Sequence, residues 1–331
     1  MRRPPLRLSK KGRVDKMKRD AHDFNHYKEA VIGAAIDIAE ADERVVFVDS
    51  DLSSCIGSTS FEKKYPERFF NVGIAEANMV GVAAGLSSVG LIPFIHSFGC
   101  FMSRRDYDQL FISLGYTHQR AICIGSDPGI TAQYNGGTHM PFEDIALMRQ
   151  IPNFVIIEPS DAQSLYDLTW QAYKSGQNAY IRTPRKGINF RYSLQDEITL
   201  GKGIELRNGK DVAIVATGIV MVDEALKASE ILKEKGIDAT VVDLHTIRPL
   251  DTELIETVAK RTGKVLVCEN GRYAGGVGEM IAGHLSSVLP TKMAFLNVGE
   301  RYGEVGNLSY LKEAFGFTAD NIVNKVMGLL A

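Results

Sequence analysis

Glu76 is the carboxylate whose setting most invites chemistry. It stands in Arg68-Phe-Phe-Asn-Val-Gly-Ile-Ala-Glu76-Ala-Asn-Met-Val-Gly-Val-Ala-Ala-Gly85-Leu, which reads as a short apolar strand, a turn at Gly73 and a helix whose first turn carries the acid. Met79, Val80 and Val82 follow, so the carboxylate is expected half-buried on a rigid backbone, a setting suited to tuned proton chemistry. A first-turn glutamate also simply suits the helix dipole. His139 closes a glycine-rich loop, 126–143, too long and too particular to be filler. Phe98 and Phe101, three apart, put two rings on one side of a turn, where they can equally be plain core. Arg182 and Arg185 end a strand, where a guanidinium can clamp an anion or stay a solvated charge. Asp51 lies in a polar turn after another strand, as a cap or as a ligand at a sheet edge.

The elements that must position these residues alternate between continuous apolar runs of strand length and helical patterns. Arg44-Val-Val-Phe-Val-Asp49, Leu91-Ile-Pro-Phe-Ile-His-Ser97, Ala121-Ile-Cys-Ile-Gly125 and Asn153-Phe-Val-Ile-Ile157 are the strands of a first unit. Asp211-Val-Ala-Ile-Val-Ala216, Ala239-Thr-Val-Val-Asp243 and Lys264-Val-Leu-Val-Cys268 belong to a second. The expected fold is α/β with two domains, each a mostly parallel sheet flanked by helices. The expected layout is a basic tail over 1–21, a first domain over 22–188, a polar linker over 189–204 and a second domain over 205–331. Small residues Gly81, Ala83, Ala84 and Gly85 predict close approach of another element to the helix after Glu76.

At 331 residues with 45% hydrophobic content the chain can bury two cores, and a net charge of −2 gives no global case for nucleic acid or an acidic membrane. Cys55, Cys100, Cys123 and Cys268 show neither metal-ligand nor disulfide spacing, which suits a reducing cytoplasm. The most apolar region is broken by Ser87, Ser88, Gly90 and Pro93, so no membrane span is expected. The basic N-terminus has no apolar core of a secretory signal and reads as a solvated tail or an arm for an acidic partner. Gly275-Gly-Val-Gly278 lacks the context of a dinucleotide fingerprint and is assigned to tight packing at a helix start.

Gly73-Ile74-Ala75-Glu76 resembles the turn of thiamine-diphosphate enzymes of the transketolase and 1-deoxyxylulose-5-phosphate synthase type. The resemblance runs from about Val45 to the C-terminus. It implies that Glu76 bonds the aminopyrimidine of thiamine diphosphate, with Asp51, Ile74, Phe98, Phe101 and Arg104 lining the cofactor. It further implies that His139 faces substrate oxygens and, with Asn135, Asp127 and Arg185, binds substrate. The implied activity is transfer of a two-carbon ketol unit from a ketose to an aldose, with Glu76 and His139 catalytic.

Two departures bear on substrate. Family members that use sugar phosphates carry a histidine where Asp127 stands and an aspartate where Asn135 stands, and a phosphate-binding serine falls at Cys55. An anionic Asp127 repels a phosphate, so a modified sugar, branched, deoxy or sulfonated, is expected, with an ordinary pentose phosphate as the alternative. The chain also contains no Gly-Asp dipeptide, whereas the family holds diphosphate and Mg²⁺ through a Gly-Asp-Gly segment. The resemblance therefore implies the C-terminal subunit of a split transketolase, with no metal ligand in this chain. An N-terminal partner subunit would supply the diphosphate domain in an α2β2 assembly. A deoxyxylulose-phosphate synthase-like enzyme, a 2-oxo acid dehydrogenase E1 β-like subunit and a non-catalytic regulatory subunit are the rival readings.

Overall fold

The computed structural model describes residues 19–331. Most of the basic tail lies outside the described residues. At its described end Arg19 sits over the Phe24 ring at 4.7 Å and Ala21 is buried.

The first sheet is built from β1 (Val45–Asp49), β2 (Phe69–Asn71), β3 (Ile92–Phe98), β4 (Ile122–Ser126), β5 (Phe154–Ile157) and β6 (Asn178–Thr183). The second contains β7 (Ile204–Arg207), β8 (Val212–Ala216), β9 (Ala239–Asp243), β11 (Lys264–Cys268) and β12 (Lys292–Leu296). The remaining strand, β10 (Thr246–Arg248), leaves the second unit and pairs antiparallel with β5, giving the order β10-β5-β6-β4-β3-β1-β2. The second order is β12-β11-β8-β9-β7, parallel except for β7. Both domains are thus mostly parallel sheets flanked by helices.

The strands follow from composition. β1, β3, β4, β5 and β6 are buried along their whole length, as strands covered on both faces must be; β5 is apolar throughout, whereas β3 carries His96 and Ser97 and β6 carries Asn178, Arg182 and Thr183 inside. One face of the first sheet packs on the helices Tyr27–Ala41 and Ala162–Ser175. The latter starts with a capping box in which Asp161 accepts from Ser164 N–H.

The two domains share a core. Val48, Ile95 and Tyr180 of the first sheet belong to the same buried cluster as Val215, Leu244, Ile247 and Val267 of the second half. At its polar centre Arg182, fully buried, donates to Asp144 at 2.8 Å, Glu158 at 2.5 Å and the carbonyls of Pro141 and Asn270. That arginine stitches the domains and cannot clamp a ligand.

The segment between the sheets, 184–203, has no regular element yet is anchored. Tyr192 is buried with its hydroxyl on Asp243, and Ile198 is buried too. Gly81 and Gly85 are exposed, and a Cβ at either would have no neighbour within 4 Å, so the close approach expected there does not occur among the described residues. At Gly276 a Cβ would lie 2.1 Å from the Arg272 carbonyl oxygen, and Glu269 accepts from the N–H groups of Val277 and Gly278. These glycines serve a helix start, as read from the sequence.

Candidate active site

The candidate residues gather at the carboxyl ends of β1, β3, β4 and β6, the edge where open parallel sheets bind ligands. Gly73 adopts φ +76°, which turns the chain from β2 into the helix Glu76–Ser88. Glu76 is the first residue of that helix, and only 2% exposed. Ile74, in the turn just before it, is 76% exposed and offers an apolar face to whatever covers the site. Asn71 Oδ1 accepts from the N–H groups of Asp51 and Gly73, tying the Asp51 turn to the turn that carries Glu76.

The aromatic pair forms a corner with the histidine. Phe98 and Phe101 meet edge to face at 6.0 Å, and His139 lies edge-on to both at 5.4 and 5.1 Å. Arg105 stacks on Phe101 at 4.1 Å and Arg185 on Phe98 at 4.8 Å.

Arg105, rather than Arg104, reaches Glu76. Its Nη1 donates to both carboxylate oxygens at 2.8 Å. Arg105 is the last residue of a π-helical turn, Phe101–Arg105. Arg104 instead lies 3.2 Å from Glu143 and donates to the Thr138 carbonyl.

His139 is half-buried, with Nδ1 2.8 Å from the Thr138 hydroxyl. Burial lowers its pKa from the ordinary 6.5; Asp127 acts in the opposite sense. The loop that carries it is held by the second domain. Asn270 accepts from Ile130 N–H and donates to the Pro128 carbonyl, both at 3.1 Å, and a Cβ on Gly137 would lie 2.5 Å from the Gly303 carbonyl oxygen.

Asp127 does not stand as a free anion. Its Oδ2 accepts from Arg185 Nε at 2.8 Å and lies 2.6 Å from Nη2, while Oδ1 accepts from the Arg185 backbone N–H. Both residues border a cleft of about 60 Å³ together with Asn135. Cys55 lies in the short helix Ser53–Ile56 and is half-buried.

Sequence reasoning passed over Arg105, Asn71, Asn270 and a buried line beneath the site. His96 Nδ1 is 3.5 Å from Asp49 Oδ2, and its Nε2 is 3.1 Å from Ser126 Oγ, joining the ends of β1, β3 and β4. A histidine inside an otherwise apolar strand was the available signal. Asp106 was also missed. It is fully buried without a hydrogen bond to its carboxyl oxygens, and burial, with a smaller contribution from Glu76, pushes it well above the usual carboxylate range.

A buried carboxylate joined through Arg105 to the aromatic corner, with an exposed aliphatic side chain at its turn, fits an aminopyrimidine ring. Among the described residues no group of three or more His, Cys, Asp or Glu side chains could hold a metal ion. No helix of the described residues is long and apolar enough to cross a membrane.

Residues 26–189 match the transketolase pyrimidine-binding domain, and residues 201–322 match the transketolase C-terminal domain. The chain belongs to the transketolase family. It is 43% identical to the 6-deoxy-6-sulfo-D-fructose transketolase subunit SqwH of Clostridium sp. (strain MSTE9), over 89% of this chain and 92% of that one. It is 35% identical to the 1-deoxy-D-xylulose-5-phosphate synthase of Heliobacterium modesticaldum, over 89% of this chain but 46% of that longer one. Among solved structures, a split-gene transketolase described as an inactive beta4 tetramer superposes with a TM-score of 0.86 at 36% identity, over 93% of this chain and 99% of that one. This transketolase chain therefore pairs the family's pyrimidine-binding and C-terminal domains, the content of a split subunit.

Proposed function

We propose that this chain is the pyrimidine-side subunit of a two-subunit, thiamine-diphosphate-dependent transketolase that moves a two-carbon ketol unit from a sulfonated ketose to an aldose. The observation that carries the reading is Glu76, buried at the first turn of its helix and joined through Arg105 to Phe101, which with Phe98 and His139 forms one corner. The choice of donor follows the identity to the sulfofructose transketolase subunit.

Thiamine diphosphate, when bound, supplies an acidic carbon and an electron sink for breaking the ketose carbon–carbon bond. This chain would hold its aminopyrimidine: Glu76 through a ring nitrogen, Phe98 and Phe101 through their faces, Ile74 and Asp51 at the edges. Arg105 fixes the orientation of the Glu76 carboxylate by gripping both oxygens. His139, kept largely neutral near pH 7 by burial, has Nδ1 engaged by Thr138, which leaves Nε2 to face a sugar oxygen and move its proton. Asn135, Asp127 and Arg185 would bind the rest of the sugar.

We assign the diphosphate and Mg²⁺ to a separate N-terminal subunit, because this sequence has no Gly-Asp segment of the kind the family uses. Ile74, exposed in the turn just before Glu76, gives that partner an apolar contact at the site, in an α2β2 assembly. The four cysteines are unpaired, which suits a cytoplasmic enzyme.

Calorimetry of thiamine diphosphate with Mg²⁺, on this chain alone and mixed with the partner, tests the assignment. Binding in the mixture alone is expected, and tight binding by the lone chain would overturn it.

A further inference from the structure

Each arginine around His139 is matched to a carboxylate: Arg104 to Glu143, Arg105 to Glu76 and Arg185 to Asp127. The third pair is the most enclosed, with side chains 13% and 5% exposed. Asp127 has little freedom to leave it. Its backbone sits at φ +58°, its N–H donates to the Thr183 carbonyl, and the next residue is held through its carbonyl by Asn270.

The pair forms one wall of the cleft with Thr131, Gln133 and Asn135, and Lys186 stands at its rim. Lys186 is exposed and makes no ion pair among the described residues. Asp127 cancels Arg185, so these groups leave the cleft one net positive charge. The pairing also commits the Nε and Nη2 edge of Arg185, the edge that would otherwise grip two oxygens of an anion side-on.

We propose that Asp127 is a specificity-determining residue, setting this cleft for a sugar whose head group bears a single negative charge, a sulfonate, over a phosphate monoester. The inference rests on the ketol-transfer reading and deepens it. A sulfonate stays singly charged, whereas a phosphate monoester carries about −1.5 to −2 at pH 7. One lysine and the free Nη1 end of Arg185 meet the first charge. The second meets a fixed carboxylate in a partly dehydrated wall, where a unit charge a few ångströms away changes affinity by about tenfold or more.

The test compares 6-deoxy-6-sulfofructose with fructose 6-phosphate, which share a carbon skeleton, on the assembled two-subunit enzyme. The wild type is expected to favour the sulfonate in kcat/KM. Asp127→Asn keeps the side-chain shape, frees Arg185, and is expected to move the ratio toward the phosphate by about tenfold or more. An unchanged ratio, including an equal loss with both donors, would overturn the proposal, as would a wild type that favours the phosphate. The same two sugars titrated calorimetrically into the assembly without thiamine diphosphate read the preference without turnover. A binding ratio that shifts in the variant of an assembly that turns over neither donor would support the role of Asp127 and refute ketol transfer.

Discussion

Arg105 Nη1 lies 2.8 Å from both carboxylate oxygens of Glu76, and the two residues differ sharply in exposure, 47% against 3% for their side chains. That asymmetry predicts opposite outcomes for the two truncations. Glu76→Ala leaves a cation that water can solvate, so stability should change by less than about 1 kcal/mol while turnover falls by about a hundredfold or more. Arg105→Ala strands a buried carboxylate and should cost about 1–3 kcal/mol. Denaturant midpoints of both variants, with turnover of the assembled enzyme, check the pair. Normal turnover by Glu76→Ala would sink the assignment of Glu76.

His139 gives a prediction in pH. Burial holds its pKa below the ordinary 6.5, so the neutral imidazole persists as the solution is acidified through that value. The acid limb of kcat/KM should therefore fall below pH 6.5. Asp127 is the group that raises the imidazole pKa, so Asp127→Asn should move the limb lower still. A pH profile with an acid limb above 6.5 would contradict a neutral His139.

Arg182 predicts a stability effect unlike that of the active-site arginines. It is fully buried and holds two buried carboxylates as well as the Asn270 carbonyl of the second domain. Arg182→Met leaves Asp144 and Glu158 without their cation and should cost about 3–5 kcal/mol. Adding Asp144→Asn and Glu158→Gln to that variant should restore much of the loss, as read by thermal unfolding.

His245 sits at the start of the strand that crosses to the first sheet, fully buried, with Nε2 unbonded. Burial pushes its pKa from 6.5 down to about 4. The unfolded chain therefore takes up this proton first, and the stability associated with the neutral ring is present above 6.5 and lost as pH falls toward 4. The loss amounts to about 3 kcal/mol. His245→Asn should remove that slope, whatever constant offset it adds, and the difference between the two urea-stability curves across the window isolates it. Equal slopes would mean that His245 titrates alike in the folded and unfolded chain.

Much of the architecture was legible because it is local. Residues 45–48 and 122–124 announce buried strands by uninterrupted apolar residues, and the Gly73 turn before Glu76 needs only a residue tolerant of positive φ. Those preferences act over a few neighbouring positions, so one chain read in order displays them. The domain count and the place of Glu76 at a helix start followed in the same way.

What the tertiary structure alone decided are the pairings between distant positions. Asp127 meets Arg185 across 58 residues, and Asn270 clamps Ile130 across 140. Residues Thr246–Arg248 abandon their own sheet for the edge of the other. Arg105 meets Glu76 across 29 residues. The physical reason is that an ion pair or a strand edge has no intrinsic partner. Its energy is fixed by which groups the packed sheets bring within hydrogen-bond reach and by how far water is excluded there. The chain thus specified its chemistry by residue type, and the packing of β1, β3, β4 and β6 against the second domain settled which charges those residues face.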